Sequence, residues 1–476
     1  MDTRTLETFA QAARRQLLDQ VSARLEQVLQ TDSVELREQE ESLNNLRKQI
    51  AQTSKEYVIE KAAYTWFNRF CALRFMDVNH YTRVGVVSPL PGFTQPEILA
   101  DAKQGVIDPS FPVDGEQVAG LLSGQIPSSN PQQEAYRLLL VAACQAYHRV
   151  MPFLFDPIED ETQLLMPDDL LSENAVLQGI RDALTPETCQ DVEVIGWLYQ
   201  FYISEKKDEV IGSKGKIKAE EIPAATQLFT PHWIVRYLVE NSLGRLWMLN
   251  NPTSKLVDQM EYYIAPDASV TASGAKQSPS DEEIASSGNE RPPRNDSVED
   301  AFLRVSSPEE IKVCDPACGS GHMLTYAFDV LYAIYAEQGY DPMRIPELIL
   351  KNNLYGIEID ERAGDLAGFA LMMKARERDR RFFRRGVEPN ICVLEDLHFR
   401  ADELNQYKQA VGNDLFTQGL WMLLKQFEQA KNFGSLIQPA VKNPQQVRER
   451  LEELGVFGEM FLYNTNQKVK QALKQA

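Results

Sequence analysis

The stretch Asp315-Pro316-Ala317-Cys318-Gly319-Ser320-Gly321-His322 follows the short apolar run Ile311, Val313 and Cys314 and precedes a helical pattern from Met323 to Gln338. It reads as strand, glycine turn, helix. Glycines at 319 and 321 let the backbone turn tightly and approach a ligand, and the first amides of the following helix lack an intrahelical acceptor. A Gly-x-Gly alone is a common turn. Here an acidic residue closes the strand, a proline stiffens the turn and a long amphipathic helix follows, which together point to a nucleotide-like ligand.

Downstream, a helical pattern over Pro342 to Lys351 leads into Leu354-Tyr355-Gly356-Ile357-Glu358-Ile359-Asp360, a second strand ending in acids. A helix over Arg362 to Arg380 then leads to a third strand, Ile391-Cys392-Val393-Leu394-Glu395-Asp396. Strands alternating with helices predict a parallel α/β sheet, in which ligands bind at the carboxyl ends of the strands. That places the glycine turn, Glu358, Asp360 and Asp396 along one edge. The basic run Lys374, Arg376, Arg378, Arg380, Arg381, Arg384 and Arg385 falls at the opposite end of the sheet, where cations suit a helix C-terminus, so it reads as a solvated helix end.

Upstream the chain is helical. Leu6, Phe9, Ala13, Leu17, Val21, Leu25 and Val28 recur at helical steps, and Asp32-Ser33 restarts a second helix over Glu35 to Ile50. Helices are predicted over Val58 to Met76, Gln132 to Arg149, Pro167 to Ala183 and Asp191 to Val210; the aromatic row Trp197 to Tyr202 in the last reads as core. In Ile222 to Trp233, Thr230 is the predicted N-cap and Pro231 the first helical residue of a helix running from Trp233 to Leu246. Residues 265–299 shift abruptly to Ser, Ala, Asp, Glu, Pro and Gly, the composition of a disordered or low-complexity insertion.

At 476 residues the chain has room for several cores. Its formal charge of −20 argues against nonspecific coating of nucleic acid, though not against a local basic channel. Six scattered cysteines lack the spacing of a disulfide framework. Cys314, Cys318 and His322 offer three metal ligands without a local fourth, so no metal is expected. Neither a secretory signal nor an apolar run of membrane-spanning length is visible, so a cytoplasmic protein without membrane partners is expected.

An adenosyl ligand accounts for this layout. In a dinucleotide fold the ribose-binding acid follows the glycines by about 20 residues, whereas Glu358 comes at about twice that distance. There is no third glycine at the usual place, since Thr325 and Tyr326 follow Leu324. These departures disfavour NAD and favour S-adenosyl-L-methionine, whose methionine end needs contacts at the glycine turn and which has no pyrophosphate.

Asp315 to Gly321 resembles the cofactor motif of the adenine-specific DNA methyltransferases that carry an Asn-Pro-Pro-Tyr signature. Phe229-Thr230-Pro231 is similar to their upstream motif, which meets the methionine part of the cofactor. Tyr355-Gly356-Ile357-Glu358 and Leu394-Glu395-Asp396 resemble the strand-end motifs that hold ribose and adenine. More narrowly, Trp197 to Lys207 together with Gln227 to Pro231 resembles the PglX-type methyltransferases of BREX phage-defence systems.

The resemblance implies a mostly α N-terminal region, a partial Rossmann-like methyltransferase sheet of about three parallel strands and a helical extension. The divisions are a helical domain over 1–220, a cofactor-motif helix region over 221–264, the insertion 265–299, an α/β unit over 300–400 and the extension 401–476. It implies cofactor contacts from Phe229, Thr230, Pro231, Asp315, Ala317, Gly319, Gly321, Glu358 and Asp396. Double-stranded DNA, in the full-length protein, and other BREX proteins are the implied partners.

The family's transfer step uses an Asn or Asp side chain and a Pro carbonyl to accept hydrogens of the target amine while an aromatic ring stacks the flipped base. No Asn-Pro-Pro-Tyr occurs here, and Arg291-Pro292-Pro293-Arg294 lacks both acceptor and aromatic. No catalytic residue is assigned, and the chain alone is expected to be inactive in methyl transfer. The alternative is a non-catalytic helical platform that assembles defence proteins.

Overall fold

The computed structural model describes residues 3–30, 40–155, 161–213, 215–217, 221–228, 230–265, 302–411, 415–458 and 463–476. The expected insertion lies outside the described residues from 266 onward, as do Asp32-Ser33 and Phe229.

The helix Thr3–Gln30 buries Leu6, Ala10, Ala13, Leu17, Val21, Leu25 and Val28, one stripe at three- and four-residue steps. That stripe packs on the helices Lys55–Val78, Val176–Ala183 and Glu193–Gly212. Ser54 caps Lys55–Val78 by accepting from the Tyr57 amide at 3.1 Å, and the helix places Trp66, Phe67 and Phe70 at the centre of the core. At its C-terminal end the buried Asp77 carboxylate accepts from the amides of Val86, Val87 and Ser88 and from the Thr82 hydroxyl, which fixes the following loop.

Three parallel strands, β1 (Val313–Asp315), β2 (Leu354–Glu358) and β3 (Asn390–Val393), pair in the order β1-β2-β3. The register sets Asp315 opposite Gly356 and Glu358 opposite Val393. The helices His322–Glu337 and Glu361–Arg378 pack on each other and on β2, and Glu193–Gly212 packs on the second of them. Alternate strand residues face two cores. Leu354 and Ile391 join a core that runs from Leu6 through the helical region, while Ile357 and Cys392 pack against a second core built from Leu394 to Leu473. The helix Tyr463–Gln475 of this second core touches β3.

Three helix expectations are corrected. The helix predicted over Pro167 to Ala183 is only Val176–Ala183. Before it, Asp169 accepts from the Ser172 amide and Ser172 from the Asn174 amide, local side-chain bonds that compete with a helical backbone.

Thr230 is not the N-cap. The helix begins at His232, with Pro231 in the cap position at ψ 138° and no side-chain cap; the Pro231 carbonyl accepts the Ile234 and Val235 amides. Nor is the helix uniform, because His232–Val239 passes through a π-helical segment, Glu240–Gly244, into Arg245–Asn250. In that segment Asn241 donates to the Tyr237 and Tyr262 carbonyls and Ser242 to the Leu238 carbonyl. The fully buried Glu240 accepts from the Tyr326 hydroxyl at 2.6 Å. Polar side chains bonded to the ladder carbonyls account for its widening.

Candidate cofactor site

The turn after β1 is held from three directions. Asp315 Oδ1 accepts from the Ala317 amide at 3.1 Å, and the Cys318 amide donates to the Ile357 carbonyl of β2 at 3.0 Å. The Gly319 amide donates to Glu358 Oε2 at 2.7 Å. The other oxygen of Glu358 accepts from the amides of Ile359 and Asp360 at 2.9 and 3.0 Å. Burial pushes the Glu358 carboxyl above its ordinary pKa, and these three N–H bonds oppose that shift. Gly321 caps the helix His322–Glu337 at φ +88°, and a Cβ there would lie 3.1 Å from Ala367. A side chain at that position would be strained.

A cavity of about 650 Å³ opens over the turn. Asp315, Ala317 and Gly319 form one wall, Gln227, Leu228 and Thr230 another, and Gly196 with Gln200 a third. Ser242 and Leu243 of the π segment line it too, as do Ile311 and Val313, the latter in β1. Asp315 is the one carboxylate among the described lining residues, and among the described residues no basic side chain pairs with it. Burial raises its pKa, opposed only by the Ala317 amide. Lys312, the lining base, turns its amine to the carbonyls of Glu309 and Asn352.

Of the residues expected at the site, Thr230, Asp315, Ala317 and Gly319 line this cavity. Glu358 does not line the cavity but braces the turn through its bond to the Gly319 amide, and Gly321 closes the turn against Ala367. Pro231 starts the neighbouring helix. Asp396 is exposed beyond β3 and accepts from the Lys431 amide at 2.8 Å, outside the cavity lining. Phe229 lies outside the described residues.

The aromatic helix Glu193–Gly212 was read as core packing, and its part in the site was missed. A Cβ on Gly196 would meet Ser320 Oγ and His322 Cε1 at 2.5 Å, so this glycine lets the helix lie directly on the turn. The signal was an isolated glycine inside a bulky, buried helical pattern. Beside it, Glu193 Oε1 lies 3.4 Å from His232 Nε2. Burial and the neighbouring Asp191 push the Glu193 carboxyl up to about 7, and burial holds the His322 imidazole down at about 4, so both favour their neutral forms.

The arrangement can hold a ligand with a cationic group near Asp315 and apolar surface toward the π segment. A family model described as the MmeI DNA-methyltransferase domain matches residues 301–392, which include β1, β2 and all but the last residue of β3. The chain is 42% identical over 440 residues to the adenine-specific methyltransferase BrxX of Escherichia coli O9:H4 (strain HS), covering 87% of this chain and 34% of that protein. It is 32% identical over 484 residues to the adenine-specific methyltransferase PglX of Lacticaseibacillus casei (strain Zhang), covering 92% of this chain and 38% of that protein. The matches thus cover most of this chain and little more than a third of either relative. The chain is a partial-length homologue of the BREX adenine-specific methyltransferases BrxX and PglX.

Proposed function

We propose that this chain is the S-adenosyl-L-methionine-binding portion of a site-specific DNA adenine-N6 methyltransferase of a BREX-type phage-defence system. The observation that carries the reading is Asp315, a half-buried carboxylate without a basic partner among the described residues, beside a glycine turn in a cavity large enough for a nucleoside-sized ligand. The residues present fit the cofactor. Asp315 accepts from its ammonium group, and Thr230 and Gln227 flank the methionine end. Glu358 and Asp396 are assigned to the ribose and adenine by the motifs they stand in. When bound, the cofactor supplies an electrophilic methyl group on a sulfonium. The chain's own residues bind and orient it.

The transfer itself needs acceptors for the hydrogens of the adenine amine and an aromatic ring to stack the base. The 476 residues hold no Asn-Pro-Pro-Tyr to provide them. Among the described residues β1 pairs only with β2, so its other edge is open, where the family's fourth strand pairs. The chain therefore binds the cofactor without methylating DNA by itself, and double-stranded DNA and other BREX proteins are partners of the longer protein. Incubation with DNA and cofactor labelled on the methyl group tests this. We expect retained cofactor and no labelled DNA; robust labelling of DNA by the purified chain overturns it.

A further inference from the structure

The helix Glu193–Gly212 supplies one wall of the cavity and touches the stretches that build the other two. Glu193, Gly196, Gln200 and Lys207 recur at steps of three, four and seven along it, a single helical stripe. Glu193 meets His232 at 3.4 Å, Gly196 lies on Ser320 and His322, and Gln200 lines the cavity. Lys207 Nζ donates to the Gln227 backbone carbonyl at 2.6 Å, and the side-chain Nε2 of Gln227 lies 3.6 Å from where a Gly319 Cβ would stand. From the neighbouring stripe, the Tyr199 hydroxyl donates to the buried Asp360 carboxylate.

Two separate hydrogen-bond paths leave this helix. The first runs from Tyr199 to Asp360, whose amide donates to Glu358 Oε1 at 3.0 Å; Glu358 Oε2 then holds the Gly319 amide at 2.7 Å. Asp360 also accepts from the Arg362 amide at 3.2 Å, and the Arg362 guanidinium stands 4.8 Å over the Tyr64 ring. The loop after β2 is thus fastened to the helical region from two helices. The second path runs from Lys207 to the Gln227 carbonyl and so to the wall that carries Thr230.

We infer that Tyr199 and Lys207 are positioning residues that set the two ends of the adenosyl site independently: Tyr199 the acidic loop that meets the ribose, Lys207 the wall that meets the methionine end. The inference rests on the cofactor reading above. It makes the helical region part of the binding site.

The test is calorimetric titration of the 476-residue chain with two probes, S-adenosyl-L-methionine and adenosine, the second of which lacks the amino-acid end. Lys207→Met should weaken S-adenosyl-L-methionine about tenfold while leaving adenosine within about twofold. Lys207→Arg keeps a donor for the Gln227 carbonyl and should restore the lost affinity. Tyr199→Phe should weaken both probes by a similar factor, about tenfold. Lys207 is only half-buried, so its variant tests the split even where Tyr199→Phe perturbs folding.

Equal weakening of both probes by Lys207→Met, or no weakening by it, overturns the inference while the cofactor reading stands. A wild-type chain that binds neither probe overturns the cofactor reading and this inference with it.

Discussion

Asp315 sits in the cavity wall with one backbone donor and, among the described residues, no basic partner. Burial raises its pKa, so acidification protonates it sooner than an exposed aspartate and removes the charge that meets a cation. Affinity for S-adenosyl-L-methionine should fall as pH drops through that raised pKa. Asp315→Asn should bind about tenfold or more weakly at neutral pH and show no such fall, which titrations across pH will read.

Glu193 carries the opposite kind of signal, in stability. Its carboxyl is raised from 4.5 to about 7, so between those values the fold holds a proton that the unfolded chain releases. Its contribution to stability is present below the lower value and is lost as pH rises toward the upper one. Glu193→Gln should remove that loss, worth at most about 3 kcal/mol. Denaturant unfolding of wild type and variant at about pH 5 and about pH 8 checks it.

Among elements, the approach to β1 depends on Asn353. Its side chain is fully buried, donates to the carbonyls of Pro308 and Ile311 at 2.7 and 2.8 Å, and accepts from the Tyr335 hydroxyl at 3.0 Å; its own carbonyl accepts the Val313 amide. Asn353→Ala strands these groups and should cost about 2 kcal/mol or more, read as a lower denaturation midpoint.

The three strands were legible because short apolar runs ended in acids at each turn, and the helix after β1 because its glycines preceded a clean 3.6-residue pattern. The break at Glu240–Gly244 was not, since Asn241 and Ser242 look like ordinary surface polar residues until their bonds to Tyr237 and Leu238 are seen. The site role of Glu193–Gly212 was hidden for another reason. Leu198, Tyr199, Phe201 and Tyr202 are buried as core packing predicts, while Gly196 and Lys207 reach the turn and Gln227 across sequence distances that no local pattern records.

At the scale of the molecule, one apolar core runs from Leu6 to Ile391, so the helical region and the sheet pack as a continuous body. The stretches around Thr230, Asp315 and Gly196 are far apart in sequence and meet over one cavity because of that packing. The central claim is that this cavity holds S-adenosyl-L-methionine. Calorimetric titration of the 476-residue chain, shown to be folded by a cooperative unfolding transition, tests it most directly. Saturable binding at one site per chain, weakened about tenfold or more in Asp315→Asn, is the predicted result. A folded chain that takes up no S-adenosyl-L-methionine, or whose binding is unchanged by Asp315→Asn, would contradict it.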